Sequence, residues 1–226
     1  GKTFDIMILH VNDIHASADQ YPILKTAIDR VRKHNGQALF LVAGDVFIGT
    51  PYFNHFKGMA DVYFLNKLHP DAFTFGNHEF DEGPLALKKF IHKANFPFVA
   101  SNIRFPEDFS PLVKGEIPKN GKGGFIYPAV IKEITGEKIG ILGLTTETAK
   151  LSEGWDGAAI EEAIQATEEA VSRLQGMGVN KIIVLSHLGF EKDKMLAEKV
   201  KGIDVIVGAH THTKLLRPYI VKKREP

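Results

Sequence analysis

The chain contains no cysteine, which removes disulfide staples, thiolate metal ligands and thiol redox chemistry together. Any metal it binds must rest on nitrogen and oxygen. Long apolar runs are missing too: stretches such as Ile139 to Leu144 and Lys181 to Leu185 fall far short of the ~20 residues that cross a bilayer, so no membrane span is expected. Neither sign of charge dominates. With 28 Lys and Arg against 27 Asp and Glu, a polyanion-binding surface is disfavoured, and nucleic acid is not expected as a partner. Internal repeats, low-complexity tracts and linkers are absent as well. What remains is an ordinary globular composition, 226 residues with 44% hydrophobic and 24% charged. That is enough for one sizeable core, and a single domain over residues 1–226 is expected. The sequence opens on Gly1 and Lys2 rather than Met, which is read as upstream processing and leaves the compartment without a direct signal.

Short β-branched or apolar runs alternate with helical patterns, the signature of an α/β architecture. Strands are expected at Ile6 to Val11, Ala38 to Ala43, Ala72 to Phe75, Phe98 to Ala100, Lys181 to Ser186, Asp204 to Gly208 and Arg217 to Lys222. Helices are expected at Pro22 to Asn35, Met59 to Leu68, Leu85 to Ala94, Ala158 to Met177 and Lys192 to Val200. Phe125 to Ile134 and Lys138 to Thr145 flank Thr135-Gly136-Glu137 and read as an antiparallel hairpin. Residues 104–124 carry three prolines and four glycines and read as a surface insertion.

Polar residues concentrate just after these strands, where an α/β sheet presents side chains to a crevice at its carboxyl edge. The first strand ends in Asn12-Asp13-Ile14-His15, the second in Gly44-Asp45, the third in Gly76-Asn77-His78-Glu79-Phe80-Asp81. Later strands end in Ser186-His187 and in Gly208-Ala209-His210-Thr211-His212. In an extended stretch residues i and i+2 share a side, so Asp13 with His15 and His210 with His212 are each expected to offer paired ligands. The candidate metal ligands are Asp13, His15, Asp45, Asn77, His187, His210 and His212. That donor set exceeds one tetrahedral ion and suffices for two divalent ions sharing a carboxylate. Such a pair binds a bridging hydroxide, lowers its pKa and clamps phosphoryl oxygens during in-line attack, so hydrolysis of a small-molecule phosphate ester is the expected reaction. Mixed imidazole, carboxylate and amide ligation suits Zn, Mn or Fe. His78 is the expected catalytic residue on the leaving-group side, with Asp81 orienting its ring.

Other features carry less. His34, His55, His69 and His92 show no ligand pattern. His10 reads as core or supporting packing, and Glu79 as outside the ligand set. Gly121-Lys122-Gly123-Gly124 precedes a strand rather than opening a helix, so it is not a phosphate cradle of the Walker type. Lys222-Lys223-Arg224 reads as a solvated end, and Trp155 as either a lid or a packing residue.

The five motif blocks resemble the calcineurin-like metallophosphoesterase superfamily. Leu9 to His15, Gly44 to Thr50 and Gly76 to Asp81 resemble its 5'-nucleotidase branch in particular. The resemblance covers nearly the whole chain and implies a four-layer α/β/β/α sandwich. It implies one ion on Asp13, His15, Asp45 and His212, a second on Asp45, Asn77, His187 and His210, and a His78–Asp81 dyad that assists departure of the nucleoside oxygen. It also implies hydrolysis of nucleoside 5'-monophosphates, an extracytoplasmic location, and a further C-terminal nucleotide-recognition domain. The chain stops fourteen residues after His212, so that domain is expected to be missing here, the second sheet is expected to be short of strands, and chemistry is expected to survive better than base specificity. Cyclic-nucleotide phosphodiesterase, nucleotide-sugar hydrolase and thiosulfohydrolase share the same metal core. A protein phosphatase is disfavoured because Val46-Phe47-Ile48-Gly49 supplies no arginine after the aspartate, and a metallo-β-lactamase because no H-x-H-x-D-H string occurs. A reading of another class is a metal-binding but catalytically weak binding domain.

Overall fold

Alternation along the strands sorts the apolar residues into three interiors. The computed structural model describes residues 4–149, 151 and 154–222; Lys223 and Arg224 of the basic end lie outside the described residues. In chain order the elements are β1 (Ile8–Val11), α1 (Tyr21–Asn35), β2 (Leu39–Val42), α2 (Pro51–Phe56), α3 (Met59–Leu68), β3 (Ala72–Phe73), α4 (Gly83–Lys93), β4 (Phe98–Val99) and β5 (Ile103–Arg104). They continue with β6 (Ile126–Tyr127), β7 (Ala129–Ile134), β8 (Glu137–Thr145), β9 (Ala159–Ile160), α5 (Ala163–Gly176), β10 (Lys181–His187), α6 (Phe190–Lys199) and β11 (Val205–Val207). One sheet runs β1-β2-β3-β4-β6, all parallel. The other runs β11-β10-β8-β7, parallel except for the β7–β8 hairpin. β5 and β9 form a separate antiparallel pair.

Phe40 and Val42 of β2 point outward, into an interior shared with Ile28 of α1, Leu65 of α3 and Phe90 of α4. Their neighbours Leu39 and Leu41 point inward and meet Val130, Ile141, Ile183 and Leu185 of the second sheet. On the far side, Ile182 and Val184 pack on Val171 and Leu174 of α5 and Leu196 of α6. Period-two side-chain direction thus builds the expected α/β/β/α order of layers. The two sheets come close where β8 passes the end of β4: a Cβ on Gly143 would stand 2.1 Å from the Val99 carbonyl oxygen, and the Ser101 amide donates to the Gly143 carbonyl at 2.7 Å. Only a glycine permits that approach, which helps bring the carboxyl edges of both sheets together.

Several sequence expectations need correction. The expected strand from Phe125 to Ile134 is two strands in different sheets, divided at Pro128. Proline has no N–H for a ladder and marks the crossing point; its carbonyl accepts from Ser101 Oγ at 2.7 Å. The expected helix at Ala158 begins only at Ala163, because the Glu162 carboxylate accepts from the Gln165 amide at 2.7 Å and caps the first turn there. Residues 104–124 are not merely a surface insertion: Phe109 is fully buried in the outer interior beside Phe105 and Trp155. Trp155 is itself a packing residue, buried against Phe80 with its Nε1–H donating to the Phe80 carbonyl at 3.0 Å. His10 is exposed rather than packed, since β1 is a sheet edge. Arg217 to Lys222 forms no strand; Leu216, Tyr219 and Ile220 face solvent without a neighbouring strand to pair with. The short helix α2 had no counterpart in the sequence pattern.

The Tyr21 hydroxyl donates to Asp61 at 2.9 Å, tying the start of α1 to the first turn of α3. Burial pushes the Asp61 carboxyl up to about 6, against the Tyr21 hydrogen bond that favours its charge. The folded state therefore binds this proton more tightly than the unfolded chain, whose Asp titrates near 4. Stability falls as pH rises from about 4 through about 6, and the full penalty persists above that range. Asp61→Asn keeps an acceptor for Tyr21 and removes the charge. Melting curves are expected to show the variant more stable than wild type at pH 8, by roughly a few degrees, with the gain lost near pH 4; an equal gain at both pH values would contradict this.

Candidate metal centre

The loops leaving five strands are laced together by backbone hydrogen bonds at the joint carboxyl edge. Those after β1 and β2 continue their ladder, with Asp13 N donating to Gly44 O at 3.0 Å and His15 N to Asp45 O at 3.0 Å. The β3 loop joins through His78 N, which donates to Asp45 Oδ1 at 2.9 Å. From the second sheet, His187 Nδ1–H donates to the Ala43 carbonyl at 2.6 Å, and His210 N donates to Asp13 Oδ2 at 3.2 Å. The carbonyl can only accept, so His187 carries its proton on Nδ1 and turns Nε2 inward.

Two groups of ligand-type side chains result. Asp13, His15 and His212 form one, and Asp45, His187 and His210 the other, with ligand atoms inside each group within 4.8 Å of one another. The groups adjoin: His187 Nε2 is 3.0 Å from Asp45 Oδ2 and 3.9 Å from Asp13 Oδ1. All six are among the seven residues marked by the sequence. The seventh, Asn77, lies beside His78 with a buried Oδ1 that has no hydrogen-bond partner. The expected i, i+2 pairing on extended backbone does not occur. Asp13, His15, Asp45, His210 and His212 all have positive φ, between 48° and 76°, so neither histidine-containing pair lies on extended backbone. His210 and His212 consequently turn to different groups. Such conformations cost about 1 kcal/mol or more each for residues with a Cβ and concentrate at functional sites.

Whether cations fit can be decided from the orphaned atoms. Asp13 Oδ1, Asn77 Oδ1 and His187 Nε2 are buried lone-pair atoms without hydrogen-bond partners. A bare imidazole nitrogen 3.0 Å from a carboxylate oxygen repels it unless a proton or a metal ion stands with them. The same demand appears in the proton affinities. Burial opposes the His187 imidazolium, but the Asp45 hydrogen bond and charge outweigh it and raise the ring above its usual range. Burial likewise opposes the Asp45 carboxylate, yet His187 and the His78 amide hold its pKa below the ordinary value. His210 is lowered, first by burial and then by the His187 charge. The pocket draws positive charge, and its nitrogen and oxygen donors fit divalent metal ions.

His78 stands beside the first group, its ring centroid 5.4 Å from that of His15. Its Nδ1 is 2.5 Å from Asp81 Oδ2, as the spacing of three residues suggested. Partial burial disfavours the imidazolium, but the Asp81 hydrogen bond, followed by the Asp45 charge, raises the ring above its usual range. Both side chains of this pair are about a third exposed, and His212 more so, so the centre opens to solvent on this side.

Glu79 was the residue least legible in sequence. It is completely buried and accepts from the backbone N–H groups of Asp45, Val46, Phe47 and Gly76. Burial, followed by the Asp45 charge, pushes its carboxyl up to about 7. Four converging N–H donors leave no acceptor for an acidic proton and favour the carboxylate. No local pattern reports such a backbone cradle.

A two-sheet sandwich with paired ligand groups at its common edge defines a metallohydrolase class of site. The chain matches the model of the calcineurin-like phosphoesterase family over residues 6–214; it belongs to that family, which places it among the hydrolases. It is similar to the trifunctional nucleotide phosphoesterase protein YfkN of Bacillus subtilis (strain 168), with 36% identity over 99% of this chain and 17% of that protein. It is also similar to a snake venom 5'-nucleotidase of Crotalus adamanteus, with 38% identity over 93% of this chain and 37% of the venom protein. The solved structure of a 5'-nucleotidase precursor from Thermus thermophilus superposes with a TM-score of 0.79 and 37% identity, over 99% of this chain and 45% of that one. The chain therefore spans less than half the length of these relatives.

Gly76 offers a direct check on the packing of the centre. A Cβ there would lie 2.1 Å from Asp45 Oδ1 and 2.6 Å from the Asp45 amide nitrogen. Gly76→Ala is expected to lower the melting temperature and to weaken Mn²⁺ uptake by calorimetric titration. Wild-type uptake in this variant would show that Asp45 tolerates displacement.

Proposed function

We propose that this chain is a catalytic domain that hydrolyses nucleoside 5'-monophosphates to nucleoside and phosphate. The observation that carries the reading is the pair of adjoining ligand groups around buried, orphaned lone-pair atoms, flanked by His78 and Asp81. Asp13, His15, Asp45 and His212 would hold one divalent ion and Asp45, Asn77, His187 and His210 the other, with Zn, Mn or Fe suited to the donors. When bound, such ions supply Lewis acidity toward phosphoryl oxygens and acidify the water that attacks phosphorus. The residues of the chain do the rest. The Ala43 carbonyl and the His78 amide set the orientation of His187 and Asp45. Asp81 holds the Nδ1–H of His78 and favours its imidazolium form, whose second proton, on Nε2, would pass to the ester oxygen as the phosphorus–oxygen bond breaks, leaving a neutral ring. The open side at His78 and His212 admits the substrate.

The nucleotide substrate is supported by the relatives named as nucleotidases and as a nucleotide phosphoesterase. The Bacillus relative is named a trifunctional nucleotide phosphoesterase, and a second reading, in which 2',3'-cyclic nucleotides or nucleotide sugars are cleaved, rests on the same metal core, which does not by itself choose the leaving group. An extracytoplasmic location is proposed from the venom relative; among the described residues no helix is long and apolar enough to cross a membrane.

With Mn²⁺ supplied, the chain is expected to release phosphate from an aryl phosphate and from AMP, measured against 2',3'-cyclic AMP and a nucleotide sugar. Absence of turnover with metal bound would favour a binding domain instead. His78→Ala is expected to cut turnover by about 10²–10⁴ with metal content retained, and unchanged turnover would remove the dyad. Asp45→Asn is expected to loosen both ions together by elemental analysis, and loss of a single ion would argue against a shared carboxylate.

A further inference from the structure

Glu79 is buried at the centre, yet neither the proposed ligand set nor the proposed proton transfer uses it. We infer that Glu79 is a positioning residue for both cations, acting through Asp45; this rests on the dinuclear reading above. Its two oxygens are fully divided among four backbone donors. Oε2 accepts from Asp45 N at 2.9 Å and Gly76 N at 2.5 Å; Oε1 accepts from Val46 N at 2.7 Å and Phe47 N at 3.1 Å. The consecutive N–H groups of residues 45–47 form a concave anion nest, and a carboxylate from the neighbouring loop fills it from within. That nest holds Asp45 at a φ of 52°, a conformation the residue does not favour by itself.

The clasp is reciprocal. Glu79 reaches from the β3 loop to the β2 loop, while Asp45 Oδ1 accepts from His78 N of the β3 loop. With Oδ1 engaged by backbone, Oδ2 is the oxygen left facing His187 Nε2 at 3.0 Å. The same clasp carries Asn77, two residues before Glu79, so one carboxylate sets the relation between Asp45 and Asn77. Loss of the clasp therefore weakens both cations, unlike loss of a ligand to one of them.

Glu79→Gln keeps the shape but turns an NH₂ group toward two N–H donors. Glu79→Asp keeps the charge but is one methylene too short to serve both donor pairs. The 226-residue chain and both variants would be titrated with Mn²⁺ against a chromogenic chelator, with bound metal counted by elemental analysis and folding followed by circular dichroism. In Glu79→Gln both ions are expected to weaken together by ~10–100-fold, and in Glu79→Asp by less. Turnover of an aryl phosphate is expected to recover toward the wild-type rate as Mn²⁺ is raised to saturation, as for a group that positions ligands and does not touch the substrate. Wild-type affinity at both ions, or loss of one ion alone, would overturn the inference. So would unfolding of both variants in excess Mn²⁺, which would make Glu79 a support of the fold only. Uptake of fewer than two ions by the wild-type chain would instead refute the dinuclear reading itself.

Discussion

Asp13 and Asp45 bring two carboxylates into a pocket that nearly excludes water, beside the fully buried ring of His187. Negative charge at such spacing is not held in a low-dielectric interior unless positive charge or N–H donors converge on it. The protein meets part of that demand with backbone, through the amides of His78 and His210. The remainder falls on atoms left without partners, which is the electrostatic definition of a cation site. The surrounding loops are shaped accordingly: five of the seven proposed ligands sit in left-handed conformations, and Gly44, Gly49 and Gly76 stand where a Cβ would collide with a neighbouring loop or a proposed ligand.

The sandwich makes the arrangement possible. Neither sheet alone holds the full donor set; Asp13, His15, Asp45 and Asn77 follow strands of one, while His187 ends a strand of the other and His210 and His212 follow one. Facing interiors of Leu39, Leu41, Ile141, Ile183 and Leu185 hold the sheets together, and the Gly143 contact sets their approach near the active edge. Membership of the calcineurin-like phosphoesterase family agrees with this division of labour between scaffold and strand-end loops.

Much of this was legible in residue order. Alternation of apolar runs with helical patterns marked most elements, and the strand-end blocks marked all seven proposed ligands together with His78 and Asp81. Pro128 shows where local pattern runs out: β-type residues continue on both sides of it, and no local signal tells that Tyr127 and Ala129 belong to different sheets. Phe109 shows a second limit, because a proline- and glycine-rich stretch reads as surface although one aromatic within it can still reach the core. Arg217 to Lys222 shows a third, since strand-like composition does not form a strand until the segment pairs with a sheet edge, and here it stays apart from both sheets.

The residue order by itself determined the chemistry of the donors and their attachment to strand ends, because side-chain identity and short-range periodicity are local properties. The three-dimensional packing brought the donors together, His212 with Asp13 and His15 and His210 with Asp45 and His187, a division that the family resemblance implied and that residue spacing did not. It alone gave Glu79, already read as outside the ligand set, its four backbone N–H donors on two loops. Both outcomes depend on backbone N–H groups and left-handed turns brought together from distant parts of the chain, and those are features that no side-chain pattern encodes.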